Sequence, residues 1–208
     1  NGLSIYPTPM LGMVGLIEEA ERTMTQWFKQ EGDDIILLGS AREDLGGSEY
    51  LKVMHAREQG SPPYLSFDTE QALHDCLLSL IRDGLLQSAH DCSDGGLAVT
   101  LAESCISGPG QLLGAVVQLS RGRLRKDAML FGESQSRVVI SSQSTHRQTI
   151  LDQARRFGVP AEMIGSVTGA RLTVHLREGA SAESVIDQPV TALYDQWACS
   201  LERAVHHT

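Results

Sequence analysis

The 208 residues carry a formal charge of −9, which argues against a nucleic-acid backbone or an anionic membrane as the main partner, since both are polyanions. Hydrophobic residues at 41% and charged residues at 21% allow a packed core and exclude wholesale disorder. No apolar run reaches the ~18 residues of a membrane span. Cys76, Cys92, Cys105 and Cys199 show neither a C-x-x-C pair nor zinc spacing, so free thiols in a reducing, cytoplasmic compartment are expected.

The chain opens on Asn1-Gly2 with neither Met nor a basic segment, which suggests a piece of a longer protein. Pro7 and Pro9 impose extended backbone. The apolar run Met10–Ile17, broken by Gly12 and Gly15, then predicts a buried strand. Residues 19–34 are polar and acidic apart from Trp27 and Phe28 and are expected as a connector. Ile35-Ile36-Leu37-Leu38-Gly39 predicts a second buried strand.

Asp44-Leu45-Gly46-Gly47-Ser48-Glu49-Tyr50 leads into helical spacing at Tyr50, Leu51, Met54 and His55. Two readings stand: a ligand-contacting loop, or an ordinary Ser48 cap with Glu49 in the first turn. After the loop Gly60-Ser61-Pro62-Pro63, Asp68 is expected to cap an amphipathic helix. Ala72, Leu73, Cys76, Leu77, Leu80 and Ile81 face one side, His74 and Asp75 lie on the solvated side, and Gly84 ends it.

Leu85-Leu86 to Ala89 predicts a strand feeding His90-Asp91-Cys92-Ser93-Asp94-Gly95-Gly96-Leu97. A helix follows at once through Leu97, Leu101, Ala102, Cys105 and Ile106. Ser93 or Asp94 suits a helix cap. The glycines permit positive φ or close backbone approach. Free N–H groups at a helix start suit phosphate, and the carboxylates suit a divalent metal that offsets their repulsion of it. The competing reading is a capped turn without a ligand, because D-x-S-D-G-G is no generic fingerprint.

Leu112–Leu119 predicts a strand. Arg121, Arg123, Arg125 and Lys126 form the dense basic cluster, which fits either a phosphate or acidic partner or a solvated turn. A short helix begins at Asp127 and ends in Leu130-Phe131-Gly132-Glu133-Ser134-Gln135-Ser136-Arg137. There Glu133, Ser134 and Gln135 read as ligand-facing or as a polar loop. A strand at Val138–Ile140 and a helix at Ile150–Phe157 follow. Met163–Val167, the turn Thr168-Gly169-Ala170 and Leu172–Leu176 suggest a hairpin. Beyond the polar stretch 177–189, Leu193, Trp197, Leu201 and Val205 predict a final amphipathic helix, with His206-His207 as a frayed end. The elements sum to an α/β chain with five or six strands and four or five helices, without strict β-α-β alternation.

Four motifs together resemble one family: Ile5-Tyr6-Pro7-Thr8-Pro9 with Gly12-Met13-Val14-Gly15, then 44–50, 90–97 and 130–137. In this order they are similar to the C-terminal part of phosphoribosylformylglycinamidine synthase, within the wider AIR synthase-related superfamily. The resemblance implies a three-layer α/β/α sandwich with a mixed sheet. It implies that residues 1–31 are the remnant and linker of an ATP-binding half and that residues 32–208 form the C-terminal domain. It implies an ATP-dependent carbon–nitrogen ligase of purine synthesis. ATP activates the formyl-amide oxygen of formylglycinamide ribonucleotide, and glutamine-derived ammonia displaces phosphate to give the amidine.

The implied cofactors are ATP and Mg2+. The implied partners are the remaining modules of the enzyme, a glutaminase and a small accessory subunit. By the same resemblance Asp91 is a metal ligand and Ser93 a nucleotide contact, with Asp94, Gly95 and Gly96 beside it by the helix-start argument. Glu133, Ser134 and Gln135 correspond to a ligand-contacting segment by pseudo-symmetry. No residue here is expected to be catalytic, because the family's catalytic histidine belongs to another module, and the piece is expected to be inactive alone. Cys92 receives no role. A non-catalytic interaction module and another ATP-dependent enzyme of the superfamily are the alternatives.

Overall fold

The computed structural model describes residues 10–17, 19–120, 122–179 and 181–206. Its centre is strand β1 (Asp34–Leu38), buried at every position. A continuous apolar run suits a strand covered on both faces, and the side chains divide accordingly. Ile35 and Leu37 enter one core with Leu97, Leu101, Val117 and Val174. Ile36 and Leu38 enter a second with Leu73, Leu80, Ile140 and Ile150. The period of two along a strand sends neighbours to opposite faces, so helices cover both sides.

Helices α1 (Glu49–His55) and α2 (Phe67–Arg82) precede strand β2 (Ser88–Asp91) and helix α3 (Gly96–Ile106). Strand β3 (Ala115–Ser120), helix α4 (Lys126–Phe131), strand β4 (Val138–Ser142) and helix α5 (Arg147–Arg156) follow. Strands β5 (Ala161–Val167), β6 (Arg171–Glu178) and β7 (Ser181–Pro189) lead to helices α6 (Val190–Ala198) and α7 (Ser200–His206). The seven strands lie in the order β2-β4-β1-β5-β3-β6-β7. All pairs are antiparallel except β3 with β6. Helices α2 and α5 supply the second core, and α3, α4 and α6 the first. This is the expected α/β/α sandwich with a mixed sheet.

Several expectations fail for identifiable reasons. The expected strand at 10–17 has no regular structure, and Met10, Met13 and Val14 are fully exposed. A strand needs a neighbour for its backbone groups, and none of the seven strands pairs with this segment. The connector is not idle: Phe28 is buried, its amide donates to the Ser104 carbonyl at 2.8 Å, and Ala89 donates to the Thr25 carbonyl at 3.1 Å. The cap of α2 is Ser66, whose side chain accepts from the Thr69 amide, and Asp68 falls in the first turn. There it still favours the positive end of the helix dipole.

The expected β5–β6 hairpin does not form, because β3 inserts between the two strands. Gly114 makes room for it. Its amide donates to the Gly169 carbonyl, its carbonyl accepts from Thr168, and a Cβ there would lie 2.3 Å from the Arg171 carbonyl oxygen. The polar stretch 177–189 contains the end of β6 and all of β7, an edge strand that is largely exposed. The final helix breaks at Cys199 into α6 and α7. Arg121, His207 and residues 5–9 of the first motif lie outside the described residues.

Candidate functional site

Strand β2 pairs with β4, with Asp91 opposite Val138, and ends at the loop of interest. His90 is held from two sides: Nε2 lies 2.9 Å from Glu103 Oε2 and Nδ1 lies 3.5 Å from Asp91 Oδ1. The Asp91 side chain is 73% exposed, while its carbonyl accepts from Thr100 Oγ1 at 3.3 Å. Ser93 and Asp94 are also exposed, whereas Cys92 points inward. Burial pushes the Cys92 thiol up, against a smaller downward pull from Arg137. That thiol is a small hydrophobe and not a nucleophile.

The helix start departs from expectation. Neither Ser93 nor Asp94 caps α3 with its side chain: the cap is Gly95, at φ 79°, without a side-chain bond of its own. The Gly96 amide donates to the Ser93 carbonyl at 3.0 Å. The Gly95 amide, expected free for phosphate, donates to Glu133 Oε1 at 2.8 Å. Gly96, at φ 67°, is needed for close approach, but to the protein itself: a Cβ would lie 2.5 Å from the Gly132 carbonyl oxygen and 2.8 Å from Phe131 C.

Glu133 Oε1 also accepts from the Glu49 amide, at 2.9 Å, which is the first residue of α1. Ser48 caps α1 as expected, accepting from Leu51. The loops 44–50 and 90–97 therefore meet on one carboxylate supplied by 130–137. The rest of the third motif reinforces the junction. Glu133 donates its amide to the Asp44 carbonyl at 2.9 Å, buried Ser134 accepts from the Arg42 amide at 3.0 Å, and Phe131 stacks on Tyr50 at 4.9 Å between ring centroids. Arg137 is buried, with Nε on the Ser134 carbonyl and Nη2 on the Gly132 carbonyl at 2.6 Å. Arg137 was legible only as the end of a motif, and no periodicity marks it as the clamp of the turn.

The three residues expected to face a ligand thus divide. Glu133 and Ser134 bind protein backbone, while exposed Gln135 lines a cleft of about 270 Å³ with Ser40, Arg42, Tyr64, Thr69 and Ser136. The Arg42 guanidinium sits 5.1 Å over the Tyr64 ring in that cleft. Two members of the basic cluster are spent on ion pairs: Arg125 binds Asp127, and Lys126 binds Glu183. The hydrogen bonds donated by the Arg125 guanidinium hold the Asp127 carboxyl below its usual range.

Among the described residues no group of three His, Cys, Asp or Glu is placed to hold a metal. Asp91 offers an exposed carboxylate, and that of Asp94 is exposed in the same loop. That fits magnesium, which commonly takes one or two carboxylates and completes its shell with phosphates and water.

Residues 30–177 match the family model described as AIR synthase related protein, C-terminal domain. Phosphoribosylformylglycinamidine synthase subunit PurL of Alkaliphilus metalliredigens is 40% identical over 199 residues, which are 96% of this chain and 26% of the relative. The chain spans about a quarter of the length of the curated relatives it matches. Among solved structures, T. maritima PurL complexed with FGAR aligns at a TM-score of 0.70 and 21% identity, over 84% of this chain and 30% of that one. T. maritima PurL complexed with ATP aligns at 0.62 and 20% identity, over 84% and 28%. At such identity the two structures bear on the fold alone. The family match covers most of the chain and falls on the same sheet and loops described above, so the chain belongs to the AIR synthase-related family through its C-terminal domain.

Proposed function

We propose that this chain is a C-terminal part of a phosphoribosylformylglycinamidine synthase and that its Asp91–Gly96 loop forms one wall of a magnesium–nucleotide site. Residues 1–31 belong, in this reading, to the preceding ATP-binding half, and residues 32–208 to the domain that closes over it. The observation that carries it is the exposed Asp91 carboxylate on a loop whose backbone is fixed by Thr100 and Glu133. A carboxylate held this way loses little freedom on meeting a cation.

Asp91 presents an anionic oxygen, and Ser93 beside it presents a hydroxyl that can donate to a phosphate oxygen. Bound magnesium would supply positive charge to offset that of the phosphates. The relative's name as a synthase subunit supports assembly with further subunits, and the sequence resemblance suggests a glutaminase as one of them. The amidine-forming chemistry is assigned to parts of the enzyme outside this chain. Among the described residues no helix is long and apolar enough to cross a membrane, and we place the protein in the cytoplasm with its pathway.

The test is Asp91→Ala in the full-length protein, followed by calorimetric titration with magnesium-ATP. Affinity should fall by ~10-fold or more, as for loss of a charged contact. Unchanged affinity overturns the assignment. The second reading, an interaction module without nucleotide, is favoured by the Gly95 amide being occupied by Glu133. It predicts no binding at this site even in the unaltered protein.

A further inference from the structure

The geometry points to Glu133 as a positioning residue that ties the two glycine loops, 45–49 and 91–96, into one mechanical unit. A single oxygen, Oε1, accepts both the Glu49 amide at 2.9 Å and the Gly95 amide at 2.8 Å. Each amide opens a helix, where backbone donors lack an intrahelical partner and a negative charge is favoured. Both bonds are charge-assisted, the stronger kind. Helices α1 and α3 share no extensive contact of their own. The carboxylate bonds both starts directly, and the other links between them run through the same 130–137 segment.

Glu133 is itself held on both sides. Its amide donates to the Asp44 carbonyl at 2.9 Å, and the preceding carbonyl, that of Gly132, accepts from Arg137 Nη2 at 2.6 Å. Arg137 is buried and cannot follow a solvent fluctuation. The tie thus runs from the core through Glu133 to both loops at once. Because the Gly95 amide closes the short connection that Asp91 and Ser93 begin, the tie also bears on where those side chains stand. This last consequence rests on the nucleotide reading, whereas the tie does not.

The experiment measures amide hydrogen exchange and magnesium-ADP binding in the full-length protein with Glu133→Ala and Glu133→Gln. The Ala variant should raise exchange in segments 45–49 and 93–97 together, by ~10-fold, with other segments unchanged, and weaken magnesium-ADP by a comparable factor. Gln retains one oxygen able to accept both amides, so it should stay within ~3-fold of the unaltered protein in each readout. Exchange that rises in one segment only, in neither, or equally with Gln and Ala overturns the tie. If the Ala variant fails to fold, Glu133→Asp, one methylene too short to span both amides, takes its place with the same expected paired rise. If the unaltered protein takes up no magnesium-ADP, the nucleotide reading fails while the exchange result still decides the tie.

Discussion

Arg147 grips Asp34 with both arms of its guanidinium: Nε lies 2.6 Å from Oδ2 and Nη2 lies 2.7 Å from Oδ1. The pair joins the first residue of α5 to the first residue of β1. Its two halves differ in environment, since the Asp34 side chain is 4% exposed and that of Arg147 is 45% exposed. Removing the arginine leaves a buried carboxylate without its donors. We expect Arg147→Ala to destabilise the chain by about 2 kcal/mol, below the ~3–5 kcal/mol of a fully buried pair because water screens the outer half. Arg147→Lys should recover less than half of that, since an ammonium cannot make the two parallel bonds. Urea unfolding of the three proteins measures both, and an Ala variant as stable as the parent would contradict the claim.

Gly96 and Gly158 share a positive φ, 67° and 70°, yet their surroundings differ. A Cβ on Gly158 would meet nothing within 4 Å, whereas one on Gly96 would strike the Gly132 carbonyl oxygen at 2.5 Å. Gly158→Ala should therefore cost only the backbone term, about 1 kcal/mol. Gly96→Ala should cost ~3 kcal/mol or more, because two backbone segments must separate. Comparable urea midpoints for the two variants would show that Gly132 yields freely.

Asp33 predicts a pH dependence of definite sign. Burial first, and then the neighbouring Asp34 charge, push its carboxyl above the usual range, with Lys29 pulling the other way. Its Oδ2 has no hydrogen-bond partner among the described residues. The folded state thus prefers the protonated acid. The stability Asp33 contributes is complete below its unfolded pKa and is lost as pH rises through the raised folded value. Asp33→Asn carries no such loss. The variant should match the parent near pH 4 and be the more stable of the two at pH 7. Urea titrations at the two pH values check this, and a variant weaker than the parent at pH 7 would reverse the sign.

How much of this could be read in advance depends on what kind of interaction decides each feature. Ile35–Leu38 declared itself because a strand covered on both faces is apolar at every position. Helix α2 did so through its 3.6-residue stripe. The β5–β6 hairpin misled because two apolar runs around a Gly turn look alike whether or not a third strand enters. Entry was decided by the absence of side chains at Gly114 and Gly165, whose Cβ atoms would meet backbone carbonyls at 2.3 and 2.2 Å. At the site, three of the four motifs did converge in space, and Ser48 did cap its helix. What stayed hidden was the partner of Gly95. A side chain that bonds the amides of two helices, 38 and 84 residues away in sequence, leaves no periodic trace.

Strand β7 passed unnoticed because it carries charge and hydroxyls where a covered strand carries valine. That same polarity has a use. Among the described residues the strand pairs only with β6, which leaves its outer row of amides and carbonyls without a strand partner there. Glu183 and Asp187 stand along it, and Pro189 ends it without an amide to offer. Glu183 is paired with Lys126 and Asp187 with Arg171, and charged side chains together with a terminal proline make such an edge a poor template for a second copy approaching strand to strand. The feature that hides the border of the sheet from hydrophobic patterning also guards the protein against building fibres from itself.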